Sequence, residues 1–261
     1  MQAHKHPSKS SRAARRRLLL TTLVLASVVL AGLWSKPTFS LADLDINGRL
    51  SYVYHAVTAY RGPVRVGLQV GHLNVQDHPE ELANLRYNTG AHAGGLNEVD
   101  INYAVAQQLK ASLELDGITV DVLPATVPEN YKADLLLSLH ADASPDEWRR
   151  GYKSSHFRAP RNKLEPDLKT YIDEAYLYYS GLPDDDMNVS GSMLDYYAFN
   201  RRKFRHSVAT STPALLVEMG YLSSSEDRSF LQDPTNPAYA LKQGIVAYLE
   251  SRNRLPRTAS E

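Results

Sequence analysis

Among the histidine and carboxylate side chains of this 261-residue sequence, the types that hold metals and move protons, four stand at the ends of apolar or helical runs, and three of them close an apolar run. Residues 133–143 (ADLLLSLHADA) form a short apolar stretch that ends on His140 and breaks at once into small and polar residues. Residues 64–72 (VRVGLQVGH) end on His72, and residues 213–220 (PALLVEMG) end on Glu218-Met-Gly. In an open α/β sheet the carboxyl ends of neighbouring strands share one crevice, so strand-end residues far apart in sequence can meet there. Taken singly, a strand-end histidine is equally a hydrogen-bonded structural residue; the repetition of the pattern makes it a site hypothesis.

The fourth residue lies at the start of a helix. Residues 98–115 have apolar positions at Ile101, Val105 and Leu109, with Asn97 placed to cap the start and Gly117 to stop the end. Stepping back three positions from Ile101 puts Glu98 on the inward stripe. An inward carboxylate needs a partner, because burying it unpaired is costly. Capping or favouring the helix dipole is one account of Glu98, and a metal ion is the other. Two histidines and a glutamate are a known ligand set of zinc hydrolases, which keep a fourth position for water. His72, Glu98 and His140 would supply that set. Neither H-E-x-x-H nor G-x-S-x-G occurs.

These residues need elements to hold them. Strands are expected at 64–72, 118–123, 133–140 and 213–220, and helices at 98–115, 165–179 and 238–251, with 73–95 a loop over the site and 223–237 rich in turns. The order predicts an α/β fold: a mixed, mostly parallel central sheet flanked by helices. Tyr171, Tyr176 and Tyr179 fall on one stripe of the helix at 165–179, which reads as core or as a sugar-contacting face. Asp184, Asp185 and Asp186 read as a solvated turn or a hard-cation site. The basic run Arg201, Arg202, Lys203, Arg205 and His206 reads as a solvated face or as a grip on a substrate carboxylate.

Composition bounds the alternatives. The chain has no cysteine, which excludes disulfides, thiolate ligands and a cysteine nucleophile. Its formal net charge is zero, but residues 1–17 carry six basic and no acidic side chains, leaving −6 on the rest. A mildly acidic body argues against a nucleic-acid partner. After Arg15, Arg16 and Arg17 comes the uncharged run 18–34 (LLLTTLVLASVVLAGLW), expected to be an N-terminal hydrophobic helix serving as a membrane anchor or a signal peptide. Either reading exports the chain beyond residue 35. The expected organisation is therefore a basic cytoplasmic tail (1–17), an anchor or signal (18–35), a linker (36–61), one catalytic domain (62–252) and a short tail (253–261).

Four segments carry a family resemblance: GHLN at 71–74, GLNEVDINYAVAQQLKASL at 95–113, ADLLLSLHADAS at 133–144 and TPALLVEMGYLSSSEDRSFL at 212–231. In order and spacing, over about 64–249, they resemble the zinc-dependent N-acetylmuramoyl-L-alanine amidases, which cleave bacterial peptidoglycan. The resemblance implies that His72, Glu98 and His140 bind zinc and that Glu218 is the catalytic carboxylate. It implies as substrate the amide joining N-acetylmuramic acid to L-alanine. The first segment departs from the family's Asp-x-Gly-His-Gly-Gly, having Gln69 at the acidic position and Leu73-Asn74 for the glycines. Two other readings stand beside it: a zinc amidohydrolase acting on another peptide or acyl-amino-acid amide, and a non-catalytic wall-binding module on the same fold. No motif points to an activator protein.

Overall fold

The computed structural model describes residues 60–255 except Glu147. The hydrophobic run 18–34 lies outside the described residues, as do the basic tail and most of the linker. Among the described residues no helix is long and apolar enough to cross a membrane.

The chain enters at β1 (Arg65–Val70) and passes through two short 3-10 turns into a small hairpin, β2 (His92–Ala93) and β3 (Leu96–Asn97). Helix α1 (Glu98–Glu114) comes next, then β4 (Thr119–Leu123), β5 (Leu135–Asp142) and β6 (Lys153–Ser155). Helix α2 (Leu164–Ser180) and the single turn α3 (Gly191–Leu194) lead to β7 (Ala214–Tyr221), and α4 (Ser225–Leu231) and α5 (Thr235–Ser251) close the fold. The five-stranded sheet has the order β4-β1-β5-β7-β6. Its first four strands are parallel, and β6 pairs antiparallel with β7 at one edge. This is the mixed, mostly parallel α/β sheet that the sequence pattern predicts.

The strands are nearly continuous apolar runs because both faces of the sheet are covered. Leu135, Leu137, Leu139 and Ala141 of β5, with Leu215 and Val217 of β7, point to the face where α1, α2 and α5 bury Leu109, Ile172 and Ile245. The alternate residues, Leu136, Ala214 and Leu216, point to the other face and pack on Tyr131, Tyr196, Phe199 and Val208. His140 and Glu218 belong by the same alternation to this second face, which is only partly roofed.

Three expectations are corrected. The segment 73–95 is not a plain loop, since it forms 3-10 turns and the β2–β3 hairpin. Within 223–237 a helix, α4, begins where the Ser224 side chain accepts from the backbone N–H of Asp227, the S-x-x-[DE] capping pattern. Asn97 precedes α1 in extended conformation but its side chain does not cap it; its amide donates to Asp100 at 2.8 Å.

Candidate metal centre

The three expected ligands converge. His140 is the sixth residue of β5 and only 7% exposed. His72 lies just past the end of β1 in a left-handed conformation, φ 66°, which turns its ring back over the strand ends. Gly71 makes the approach possible, because a Cβ there would lie 2.4 Å from Cε1 of His140. The two rings meet edge to face with centroids 5.1 Å apart. Glu98, 4% exposed, reaches in from the first turn of α1, as its place on the inward stripe predicts.

Glu98 is the hub. Its Oε1 lies 2.9 Å from Nδ1 of His140 and 3.4 Å from Nε2 of His72, and one donor atom from each of the three residues lies within 4.8 Å of the others. No other grouping of three such residues occurs among the described residues. Oε2 accepts from the backbone N–H of Ala91 at 2.7 Å, while Oε1 also accepts from Asn102 and from the backbone of Ala141, each at 3.3 Å. Burial opposes ionisation of Glu98, but hydrogen bonds and charge from His140 and His72 outweigh it and hold the carboxyl well below the usual carboxylate range. The carboxylate is therefore ionised and aimed at both imidazoles.

Hydrogen bonding also orients His72. Its Nδ1 lies 2.8 Å from the carbonyl oxygen of Asn88, which can only accept. Nδ1 thus carries a proton, and Nε2, toward Glu98, is the nitrogen left for a metal ion to take.

Glu218 sits directly opposite His140 in the β5–β7 ladder and lines the same cavity, of about 1070 Å³. Its Oε2 is buried with no hydrogen-bond partner among the described residues. Burial first, then the charges of Glu98 and Asp142, push its carboxyl well above the usual range, and Lys153 acts in the other direction. An unpaired buried carboxyl oxygen facing a cluster of ligands is where proton chemistry is expected.

Residues that the sequence pattern did not single out surround this core. Lys153, on the other side of Glu218 in the β6–β7 ladder, is 3% exposed. Its amine donates to Asp142 and to the hydroxyl of Tyr221, both at 2.6 Å. Although burial works against the charge, these bonds raise its pKa above the ordinary lysine value. Tyr196 lies beneath His140, its hydroxyl 3.2 Å from Nε2. Asp142, two residues beyond His140 on the same face, was legible from strand alternation. Tyr196 and Lys153 had no such signal.

Other expectations separate. His206 Nδ1 lies 2.7 Å from Glu81, and Arg205 pairs with Glu129 at 3.2 Å; of the basic run only Lys203 lines the cavity. The carboxylate grip is thereby reduced to one residue. The acidic run is a structural turn rather than a cation site: Asp185 accepts from Tyr221 at 2.7 Å, Asp186 from Lys169 at 2.6 Å and Asp184 from the backbone of Asp186 at 2.9 Å. On α2, Tyr176 is core, Tyr171 is partly buried against it and Tyr179 is exposed, and none of the three lines the cavity.

Comparison with known proteins gives the family and the fold. The family model described as N-acetylmuramoyl-L-alanine amidase matches residues 68–247. The chain is 27% identical over 206 residues to the probable N-acetylmuramoyl-L-alanine amidase AmiB of Haemophilus influenzae, covering 59% of this chain and 47% of that one. It is 26% identical over 155 residues to the probable cell wall amidase LytH of Staphylococcus aureus, covering 57% and 47%. It thus spans about half the length of these curated relatives. Among solved structures, the catalytic domain of CwlV, an N-acetylmuramoyl-L-alanine amidase from Bacillus (Paenibacillus) polymyxa var. colistinus, shares the fold with a TM-score of 0.53 at 19% identity. That match covers 72% of this chain and 98% of CwlV. The amidase Ami1 of Mycobacterium abscessus matches with a TM-score of 0.52 at 19% identity, covering 72% and 100%.

Proposed function

The chain belongs to the N-acetylmuramoyl-L-alanine amidase family, and on that premise we propose that it is an exported zinc hydrolase that cleaves the amide between N-acetylmuramic acid and L-alanine in peptidoglycan. The observation that carries the reading is the convergence of His72, Glu98 and His140, with donor atoms within 4.8 Å of one another, beside the unpartnered Oε2 of Glu218.

The donor set fits zinc, with two imidazoles and an ionised carboxylate, one imidazole turned by its Nδ1 bond to Asn88 so that Nε2 is the ligand atom. A zinc ion held by His72, Glu98 and His140 would supply Lewis acidity, lowering the pKa of water toward neutrality and polarising an amide carbonyl.

The chain's own residues supply the rest. Glu218 takes a proton from the attacking water at a carboxylate oxygen and passes it to the leaving nitrogen. The carbon–nitrogen bond breaks as the carbon–oxygen bond forms, giving a lactyl carboxylic acid and a peptide with a free L-alanine amine. A carboxyl whose pKa is raised by burial and like charge suits both halves of that exchange, because a proton carrier works best when its pKa lies near the working pH. Glu98, through its bond from Ala91, and His72, through its bond to Asn88, hold their places without help from substrate. The cavity is large enough for a branched glycan–peptide segment.

The staphylococcal relative is named as a cell wall amidase, which supports action in the cell envelope outside the cytoplasm. We assign residues 18–34 the role of membrane anchor or export signal on their apolar character and the preceding arginines. The test is mass spectrometry of products from purified peptidoglycan. Release of stem peptides with a free L-alanine amino terminus is expected. Intact lactyl–alanine bonds beside other cleaved amides would refute the substrate assignment, and no cleavage of any amide would favour a wall-binding module.

A further inference from the structure

His72 owes its tautomer to a backbone carbonyl, and the corresponding question for His140 leads to a longer chain of hydrogen bonds. Its Nδ1 faces Glu98, while its Nε2 faces the hydroxyl of Tyr196 at 3.2 Å. We infer that Gln69 and Tyr196 are positioning residues for this centre, transmitting the direction of one backbone carbonyl, that of Ala125, to the tautomer of His140. The inference rests on the zinc reading and adds to it how this chain presents one of its ligands.

The direction is set by donors and acceptors in turn. The carbonyl of Ala125 only accepts, and it takes a bond from Tyr197 at 2.7 Å and another from the side-chain nitrogen of Gln69. The same nitrogen donates to the Tyr197 hydroxyl at 3.2 Å. With its nitrogen end fixed there, Gln69 must present its Oε1 to Tyr196, 3.2 Å away, and that oxygen also only accepts. The single proton of Tyr196 therefore points to Gln69. The other acceptor in reach, the Tyr197 oxygen at 3.4 Å, also draws that proton away from His140. The Tyr196 oxygen is left to accept from Ser138 Oγ at 3.2 Å and from Nε2–H of His140. His140 thus carries a proton on Nε2, and its Nδ1, 2.9 Å from the ionised Glu98, is the nitrogen that a metal ion would take in place of a proton.

The geometry that builds the chain comes from the sheet. Gln69 of β1 and Ser138 of β5 are register partners on the same face as His140, and both are fully buried. Buried polar groups at these positions are retained only if satisfied, and here each has its partner. Gln69 stands two residues before Gly71-His72, so one glutamine joins the strand carrying the first histidine to the ligand shell of the second.

The test is zinc affinity of the full-length chain, measured by competition with a chromogenic chelator, for the parent, Tyr196→Phe, Gln69→Leu and the double variant. Thermal unfolding of the metal-free proteins reports folding. Loss of a group that orients a metal ligand typically weakens affinity about 10- to 100-fold, and Tyr196→Phe is expected to fall in that range. Gln69→Leu is expected to weaken zinc less, because the freed hydroxyl then turns its proton toward His140 in only part of the population. Since Gln69 acts through Tyr196, the double variant should bind no more weakly than Tyr196→Phe. Unchanged affinity in Tyr196→Phe, or fully additive losses, would overturn the inference. A readout that needs no variant is the nitrogen-15 spectrum of the zinc-loaded parent: a proton on Nε2 of His140 supports the chain, and one on Nδ1 overturns it. A parent that binds no zinc would instead overturn the metal reading beneath it.

Discussion

Replacing Lys153 by methionine keeps the length of the side chain and removes its charge, at a site where the charge has two separable effects. The amine donates to Asp142 and to Tyr221 at 2.6 Å each, and hydrogen bonds to charged groups contribute roughly 1.5–3 kcal/mol apiece. Asp142 is about one third exposed, so water takes over much of its lost bond, and Tyr221 still donates to Asp185. Removing a buried ammonium also removes its desolvation penalty. The balance is a loss of about 2 kcal/mol, which for a domain of this size lowers Tm by roughly 4–8 °C. The second effect acts on Glu218, whose proton affinity burial, Glu98 and Asp142 raise and Lys153 lowers. Without Lys153 that affinity rises further. A base that must be ionised to act then needs a higher pH, so the acid limb of kcat/KM moves upward and the rate at neutral pH falls, with Lys153→Arg restoring part of it. Calorimetry and a pH–rate profile on muropeptide substrate measure both effects. A variant with the parent's Tm and an unmoved acid limb would refute the reasoning.

Other contacts carry expectations of the same kind. Gly90→Ala should weaken zinc binding in a chelator competition, because Gly90 has φ +85° and a Cβ there would lie 2.7 Å from Oε2 of Glu98 and 2.9 Å from the His72 ring; the parent's affinity in this variant would contradict the crowding. Glu81 is held down to about 2: burial opposes this, but backbone N–H groups of Arg205 and His206 and the His206 side chain more than offset it. A carboxyl depressed in the fold stabilises it above its unfolded pKa and loses that contribution as pH falls from about 4.5 toward 2. Denaturant titrations should therefore show a shallower acid loss of stability in Glu81→Gln than in the parent, and parallel curves would count against the pairing. Asp227, fully buried, accepts from the backbone of Gly151 at 2.7 Å and of Tyr221 at 2.9 Å. Asp227→Ala leaves those groups unpaired and should destabilise the fold by about 2–4 kcal/mol in urea unfolding.

Much of the site was legible because strand ends and helix stripes are periodic. His140 closes a run buried on both faces, Glu218 stands opposite it in the ladder, and Glu98 falls on the inward stripe of α1. The pattern did not reveal what lies outside regular elements or in very short ones. Strand β6 has three residues, Lys-Ser-Ser, with no apolar alternation, and is held by pairing with β7 and by Lys169, which reaches Ser154 at 2.9 Å. Lys153 was invisible for that reason. Tyr196 arrives from an irregular segment whose path is set by packing on Phe199 and Val208, and no local period marks it. The helix α4 was hidden by a serine run that reads as turn-forming until Ser224 is recognised as a cap. The basic run was misleading in the opposite sense, since Arg205 and His206 are taken up by Glu129 and Glu81 and only Lys203 of the run lines the cavity.

The claim that His72, Glu98 and His140 form one zinc site faced by Glu218 is tested most directly by the zinc-to-protein ratio of the purified full-length chain and two variants, read beside their turnover. The account predicts one zinc per chain in the parent and in Glu218→Gln. It predicts turnover lower by about 10²- to 10⁴-fold in Glu218→Gln, and loss of both zinc and turnover in His140→Ala. A parent without zinc, a His140→Ala variant that keeps it, or a Glu218→Gln variant as active as the parent would contradict it.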